Sequence, residues 1–99
     1  MHTMLRIYSG MPGVAPRFLA KKDELEKEMR AVAGFAGYRL LATPDGIASV
    51  TICETPAGCE ESAKRAAAWV KKTLPDLAAK PPQIVSGESL ISFGSKPSK

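Results

Sequence analysis

Tyr38-Arg39-Leu40-Leu41-Ala42-Thr43-Pro44-Asp45-Gly46-Ile47-Ala48-Ser49-Val50-Thr51-Ile52 decides the fold, because it reads as a β-hairpin from whose two ends the rest of the chain can be placed. Strands are predicted over 35–43 and 47–55, on either side of Pro44-Asp45-Gly46. A three-residue hairpin loop is commonly a type I turn followed by a left-handed residue, which suits Pro in first place and Gly in last. Gly46 is then expected at positive φ. Taken so, Thr43 pairs with Ile47, Leu41 with Ser49, Arg39 with Thr51 and Tyr38 with Ile52. The register sorts the side chains: Tyr38, Leu40, Val50 and Ile52 onto an apolar face, and Gly37, Arg39, Leu41, Ser49, Thr51 and Cys53 onto a mixed one.

Upstream, Thr3-Met4-Leu5-Arg6-Ile7-Tyr8-Ser9 alternates as a half-buried strand, with Leu5 and Ile7 on one side and Met4, Arg6 and Tyr8 on the other. Gly10-Met11-Pro12-Gly13 stops it. A helix is predicted over 16–33, opened by Pro16 and closed at Gly34, with Phe18, Leu25, Met29 and Val32 as its buried stripe. Downstream, Thr55-Pro56 supplies the cap and first-turn proline of a second helix, whose stripe is Ala63, Ala66, Ala67, Val70 and Leu74. Pro75 and Pro81-Pro82 close that segment, and a last strand is expected over 83–93.

The order βαββαβ with right-handed crossovers gives an α+β chain of ferredoxin-like form, a four-stranded antiparallel sheet with two helices on one face. With 99 residues there is room for one core, so residues 1–95 are expected to be a single domain and 96–99 a disordered basic tail. The uncovered sheet face, read as Met4, Arg6, Tyr8, Arg39, Leu41 and Glu88 among others, is too apolar for water. A second copy of the chain is expected to cover it, making a homodimer and an α+β barrel of two sheets.

Composition excludes several classes. A hydrophobic share of 44% with 24% charged residues is that of a folded globular chain. No apolar run reaches the ~18 residues of a membrane span, and no signal-peptide pattern opens the sequence, so a cytoplasmic location and no membrane partner are expected. The net charge of +4 is spread along the chain instead of gathered on one face, which argues against nucleic acid. RNA recognition on such a sheet also relies on several exposed aromatics, where this one offers Tyr8 alone. Cys53 and Cys59, with five residues between them, match neither a zinc knuckle nor a disulfide scaffold and are read as free thiols.

Gly34-Phe35-Ala36-Gly37-Tyr38, Glu54-Thr55-Pro56-Ala57-Gly58-Cys59-Glu60-Glu61-Ser62 and Ala67-Ala68-Trp69-Val70 together resemble small bacterial proteins of the dimeric α+β barrel superfamily, close to the antibiotic-biosynthesis-monooxygenase-like group. The resemblance spans residues 4–93 and rests on turn and packing residues. It implies a homodimer with face-to-face sheets and a small-molecule pocket between sheet and helices in each subunit. Characterised relatives include cofactor-free oxygenases of aromatic polyketides that use polar residues such as Asn, Trp and Arg, so no cofactor is expected here.

Catalytic residues are not identified by any motif. Gly10-Met11-Pro12-Gly13 lacks the Walker lysine-serine pair and reads as a turn, and His2 has no second ligand to hold a metal with it. Tyr38, Trp69, Phe18 and Met29 are the larger groups available to line a pocket beneath the small Ala63, Ala66 and Ala67, with the Tyr38 O–H and the Trp69 N–H as orienting donors. Two function classes stay open: a protein that binds or transforms a small, largely apolar molecule, and a non-catalytic dimeric module.

Overall fold

The hairpin forms one residue out of the expected register. Thr43 pairs with Gly46, Leu41 with Ala48, Arg39 with Val50 and Tyr38 with Thr51, so the loop is Pro44-Asp45 alone. Gly46 is not among the glycines with positive φ, which are Gly10, Gly13 and Gly34. What holds the loop is its attachment to the chain after the first strand. The Gly10 N–H donates to Asp45 Oδ2 at 2.9 Å, and the Met11 N–H to the Asp45 carbonyl at 2.9 Å. Gly46 itself lies against that first strand, where a Cβ would stand 2.1 Å from the Tyr8 carbonyl oxygen.

The structure is a computed structural model and describes residues 1–94; the expected tail at 96–99 lies outside the described residues. Its elements in order are β1 (His2–Tyr8), α1 (Ala15–Leu19), α2 (Lys22–Arg30), β2 (Phe35–Thr43), β3 (Gly46–Cys53), α3 (Pro56–Thr73), α4 (Pro75–Ala78) and β4 (Gln83–Glu88). The four strands are antiparallel in the order β2-β3-β1-β4, the ferredoxin-like arrangement, and α2 and α3 pack on one face of the sheet.

The one-residue shift moves whole rows of side chains to the other face, since neighbours along a strand point in opposite directions. Leu5, Val50 and Arg39 lie side by side across three strands on the open face, with Leu41, Ile7 and Ile52 on the same side. Met4, Arg6, Tyr8, Ser49, Thr51 and Cys53 lie beneath the helices and are buried. Of the residues expected on the uncovered face, Arg39 and Leu41 are there. Met4, Arg6 and Tyr8 are on the helix side, as is the exposed edge residue Glu88 through its pairing with His2.

The first helix is broken where one was expected to run through. Lys21 leaves the helical region, at φ −122° and ψ 21°, and α2 starts afresh with Asp23 and Glu24 in its first turn, where the positive end of the helix dipole favours acids. Phe18, Leu25 and Met29 still reach the core from the two pieces. The second helix opens as expected, with the Thr55 hydroxyl accepting the Gly58 N–H at 3.1 Å. Its buried side is rotated toward Trp69: Gly58, Cys59, Ser62, Trp69 and Val70 are buried, whereas Ala67 is exposed. β4 ends at Glu88, short of the expected residue 93, and Leu90, Ile91 and Phe93 follow it fully exposed.

Candidate functional site

The aromatic core between sheet and helices draws on β1, β2 and the helices α1, α2 and α3. Tyr8 of β1, Phe18 of α1, Leu25 and Met29 of α2 and Trp69 of α3 belong to one buried cluster, with Tyr38 and Leu40 of β2 packed at its margin. The Phe18 and Trp69 rings meet at 5.7 Å between centroids with their planes 44° apart, a tilted contact of the favourable kind. The space directly enclosed by Tyr38, Phe18, Ala66 and Trp69 is only about 20 Å³, enough for one water-sized group. The alanines of α3 are therefore backed by aromatic rings instead of opening a chamber.

A larger hollow lies to one side, between α1–α2 and β2. This groove, about 410 Å³, is lined by Phe18, Leu25, Met29, Phe35, Tyr38 and Leu40, with Lys22, Glu26 and Arg30 also along it. It joins three of the four residues singled out in the sequence, Phe18, Met29 and Tyr38; Trp69 is not in its lining. Leu25, Phe35 and Leu40 were not singled out. Leu25 carries a sequence signal, since it shares the helical stripe with Phe18 and Met29, but the opening lies beside the break after Leu19, which no residue pattern announced.

Burial governs the chemistry of the phenols. It pushes the Tyr38 hydroxyl above its ordinary range, with Ser49 and the Arg6 charge working against it. Burial likewise raises Tyr8, opposed by Arg6. Both therefore stay protonated at neutral pH, and the Tyr8 hydroxyl accepts from Arg6 Nη2. Cys53 is free and buried, and its burial beside Cys59 pushes its thiol up to about 11, which removes it as a thiolate nucleophile. Cys59 is spent on packing, its thiol donating to the His2 carbonyl at 3.3 Å. Among the described residues no three His, Cys, Asp or Glu side chains come together as a metal site.

No protein-family model matches the chain, and no curated protein matches it in sequence. Solved structures do match it in shape. A MhuD variant with two manganese protoporphyrin IX molecules in each active site superposes with a TM-score of 0.71 at 15% identity, covering 96% of this chain and 100% of that one. The ActVA-Orf6 monooxygenase of Streptomyces coelicolor, in complex with nanaomycin D, gives 0.66 at 16% identity, covering 96% and 91%. A protein of unknown function from Nitrosomonas europaea gives 0.66 at 21% identity, covering 97% and 94%. The chain has the antibiotic-biosynthesis-monooxygenase-like fold. Within this fold the α1–α2 and β2 groove is an apolar recess beside a closed aromatic core, and the described residues include no helix long and apolar enough to cross a membrane.

Proposed function

We propose that the chain is a small homodimeric protein of the cytoplasm that binds, and in the monooxygenase-like reading transforms, a flat and largely apolar molecule in the groove between α1–α2 and β2. The observation that carries this is the groove itself: about 410 Å³, walled by Phe18, Leu25, Met29, Phe35 and Leu40, with one half-buried phenol, Tyr38, as an orienting donor. Similarly folded proteins with nanaomycin D or manganese protoporphyrin IX bound support a planar ligand. The homodimer is supported by the open sheet face, where half-exposed Leu41 and Val85 flank Leu5, Ile7, Val50 and Ile52. Free buried thiols suit a reducing compartment.

The second reading, a dimeric module without catalysis, is favoured by the closed interior: about 20 Å³ remains beneath Trp69, and both phenols are held protonated. One experiment separates the two. Nanaomycin D is titrated into the purified protein while tryptophan fluorescence is followed, and oxygen uptake is followed separately with an anthrone, whose phenolic ring supplies the electrons that an already oxidised quinone cannot. Saturable binding with oxygen uptake and a growing quinone spectrum supports the enzyme; saturable binding alone supports the module. Binding unchanged by Ala36→Phe, which adds bulk at an exposed position of the groove lining, would rule out this groove as the site.

A further inference from the structure

Arg6 is the anomaly of the interior. It projects from β1 beneath the helices with 6% of its surface exposed, and no carboxylate forms an ion pair with it among the described residues. A buried guanidinium is ordinarily paired, because leaving its charge uncompensated in a poorly solvated site is costly. Here Nη2 donates to the Tyr8 hydroxyl at 2.7 Å and the charge sits 5.5 Å from the Tyr8 ring centre, but Nε is buried with no partner. Tyr8, accepting from Arg6, keeps its own proton free to donate.

Arg6 and Tyr8 also line a second hollow, separate from the α1–α2 groove. It measures about 290 Å³ and lies between the C-terminal half of α3 and the chain from Ala78 to Pro82. Ala67, Val70 and Pro82 make its walls apolar. Lys71 is the other charged residue of the lining, which contains no acid. An unpartnered cation at the base, a second cation at the rim, apolar walls between them and a phenol O–H beside the base describe one kind of guest. We propose that this hollow binds a small organic carboxylate with a flat apolar body, its carboxylate on the Arg6 guanidinium and Tyr8 Oη and its body against Val70 and Pro82.

The probe is 2-naphthoate, with neutral 2-naphthamide as its control, titrated into the protein at pH 7. Naphthoate is expected to bind saturably, roughly tenfold or more tighter than the amide, as loss of a charge-assisted hydrogen bond implies, and to shift the Arg6 Nε–H resonance. Arg6→Met is expected to lose that preference, and Lys71→Gln to weaken binding a few-fold. Equal binding of acid and amide, an unmoved Nε–H resonance at saturation, or full affinity in Arg6→Met would each overturn the proposal. Should Arg6→Met fail to fold, the Nε–H resonance of the unaltered protein decides alone. Titration in the Ala36→Phe background keeps this hollow distinct from the α1–α2 groove, since exposed Ala36 lines the groove and not this hollow: naphthoate affinity should be unchanged there.

Discussion

A methyl group placed on Gly46 would point into the Tyr8 carbonyl at 2.1 Å, so the two chains can run this close only with hydrogen in that position. The neighbour is backbone and cannot rotate away. Gly46→Ala is therefore expected to destabilise the fold by about 2 kcal/mol or more, the range of overpacked sites, as read from the urea midpoint; an unchanged midpoint would show that β1 shifts freely. Cys53 offers a pH-dependent counterpart. Its thiol is raised from 9.0 to about 11 by burial and by Cys59, so between those values the folded chain holds a proton that the unfolded chain has released. That contribution is fully present below pH 9 and is lost as pH rises toward 11. The urea midpoint should fall over that window in the native sequence and stay flatter in Cys53→Ala. In the same buffers at neutral pH, both thiols should resist thiol reagents until denaturant is added, after which two react per chain.

At the scale of elements, α1 and α4 are short pieces that could not stand alone, and a bidentate pair joins them. Arg17 Nη1 and Nη2 donate to the Asp76 carboxylate at 2.6 and 2.8 Å. The guanidinium is the main reason that Asp76 is lowered to about 2 from its usual 3.8. A depressed acid stabilises above its unfolded value and loses that contribution as pH falls through the folded one, so the bridge should weaken between pH 4 and pH 2. Both side chains are half exposed, which makes the effect small and salt-sensitive. Asp76→Asn should lower the melting temperature slightly at pH 7, converge with the native sequence near pH 2 and so flatten the acid-side slope. The elements also show what a sequence tells. Thr55-Pro56 marks the start of α3 because cap and first-turn proline act locally. The register of β2 on β3 was misread because its anchor, Gly10-Met11 on Asp45, lies 35 residues away in the chain from the turn it fixes. Arg6 and Tyr8 lie on the helix side because β1 pairs with β3 so that Arg6 stands beside Ser49 and Tyr8 beside Ile47, a pairing of distant strands that the alternation within β1 does not specify. Phe18, Met29 and Tyr38 could be picked out as large groups on inward stripes, whereas the groove they line sits beside a helix break with no glycine or proline at it.

For the molecule as a whole, the uncovered sheet is the outstanding surface. Leu41 is 47% exposed and Val85 50% exposed at its two outer strands, on the side that also carries Leu5, Ile7, Val50 and Ile52. An apolar sheet of this extent is characteristically a contact surface. Leu41→Lys should shift sedimentation from dimer toward monomer at micromolar concentration while leaving far-ultraviolet dichroism unchanged; a native sequence that sediments as a monomer would refute the dimer outright.

One corner of the molecule also bears on how quickly the chain reaches this state. Gly10 bonds to Asp45 through its N–H and to the Lys80 ammonium through its carbonyl, both at 2.9 Å, so a single residue ties together segments 35 and 70 positions away. Neither tie can form until the intervening chain has already been brought round, and ordering two such loops costs entropy before any bond repays it. The corner should thus close after the rate-limiting barrier. In stopped-flow measurements Asp45→Ala is expected to speed unfolding several-fold and leave the refolding rate nearly untouched, the signature of contacts absent from the transition state. The residue that pins the hairpin's register would then set how long the native molecule lasts, and hardly at all how fast it is made.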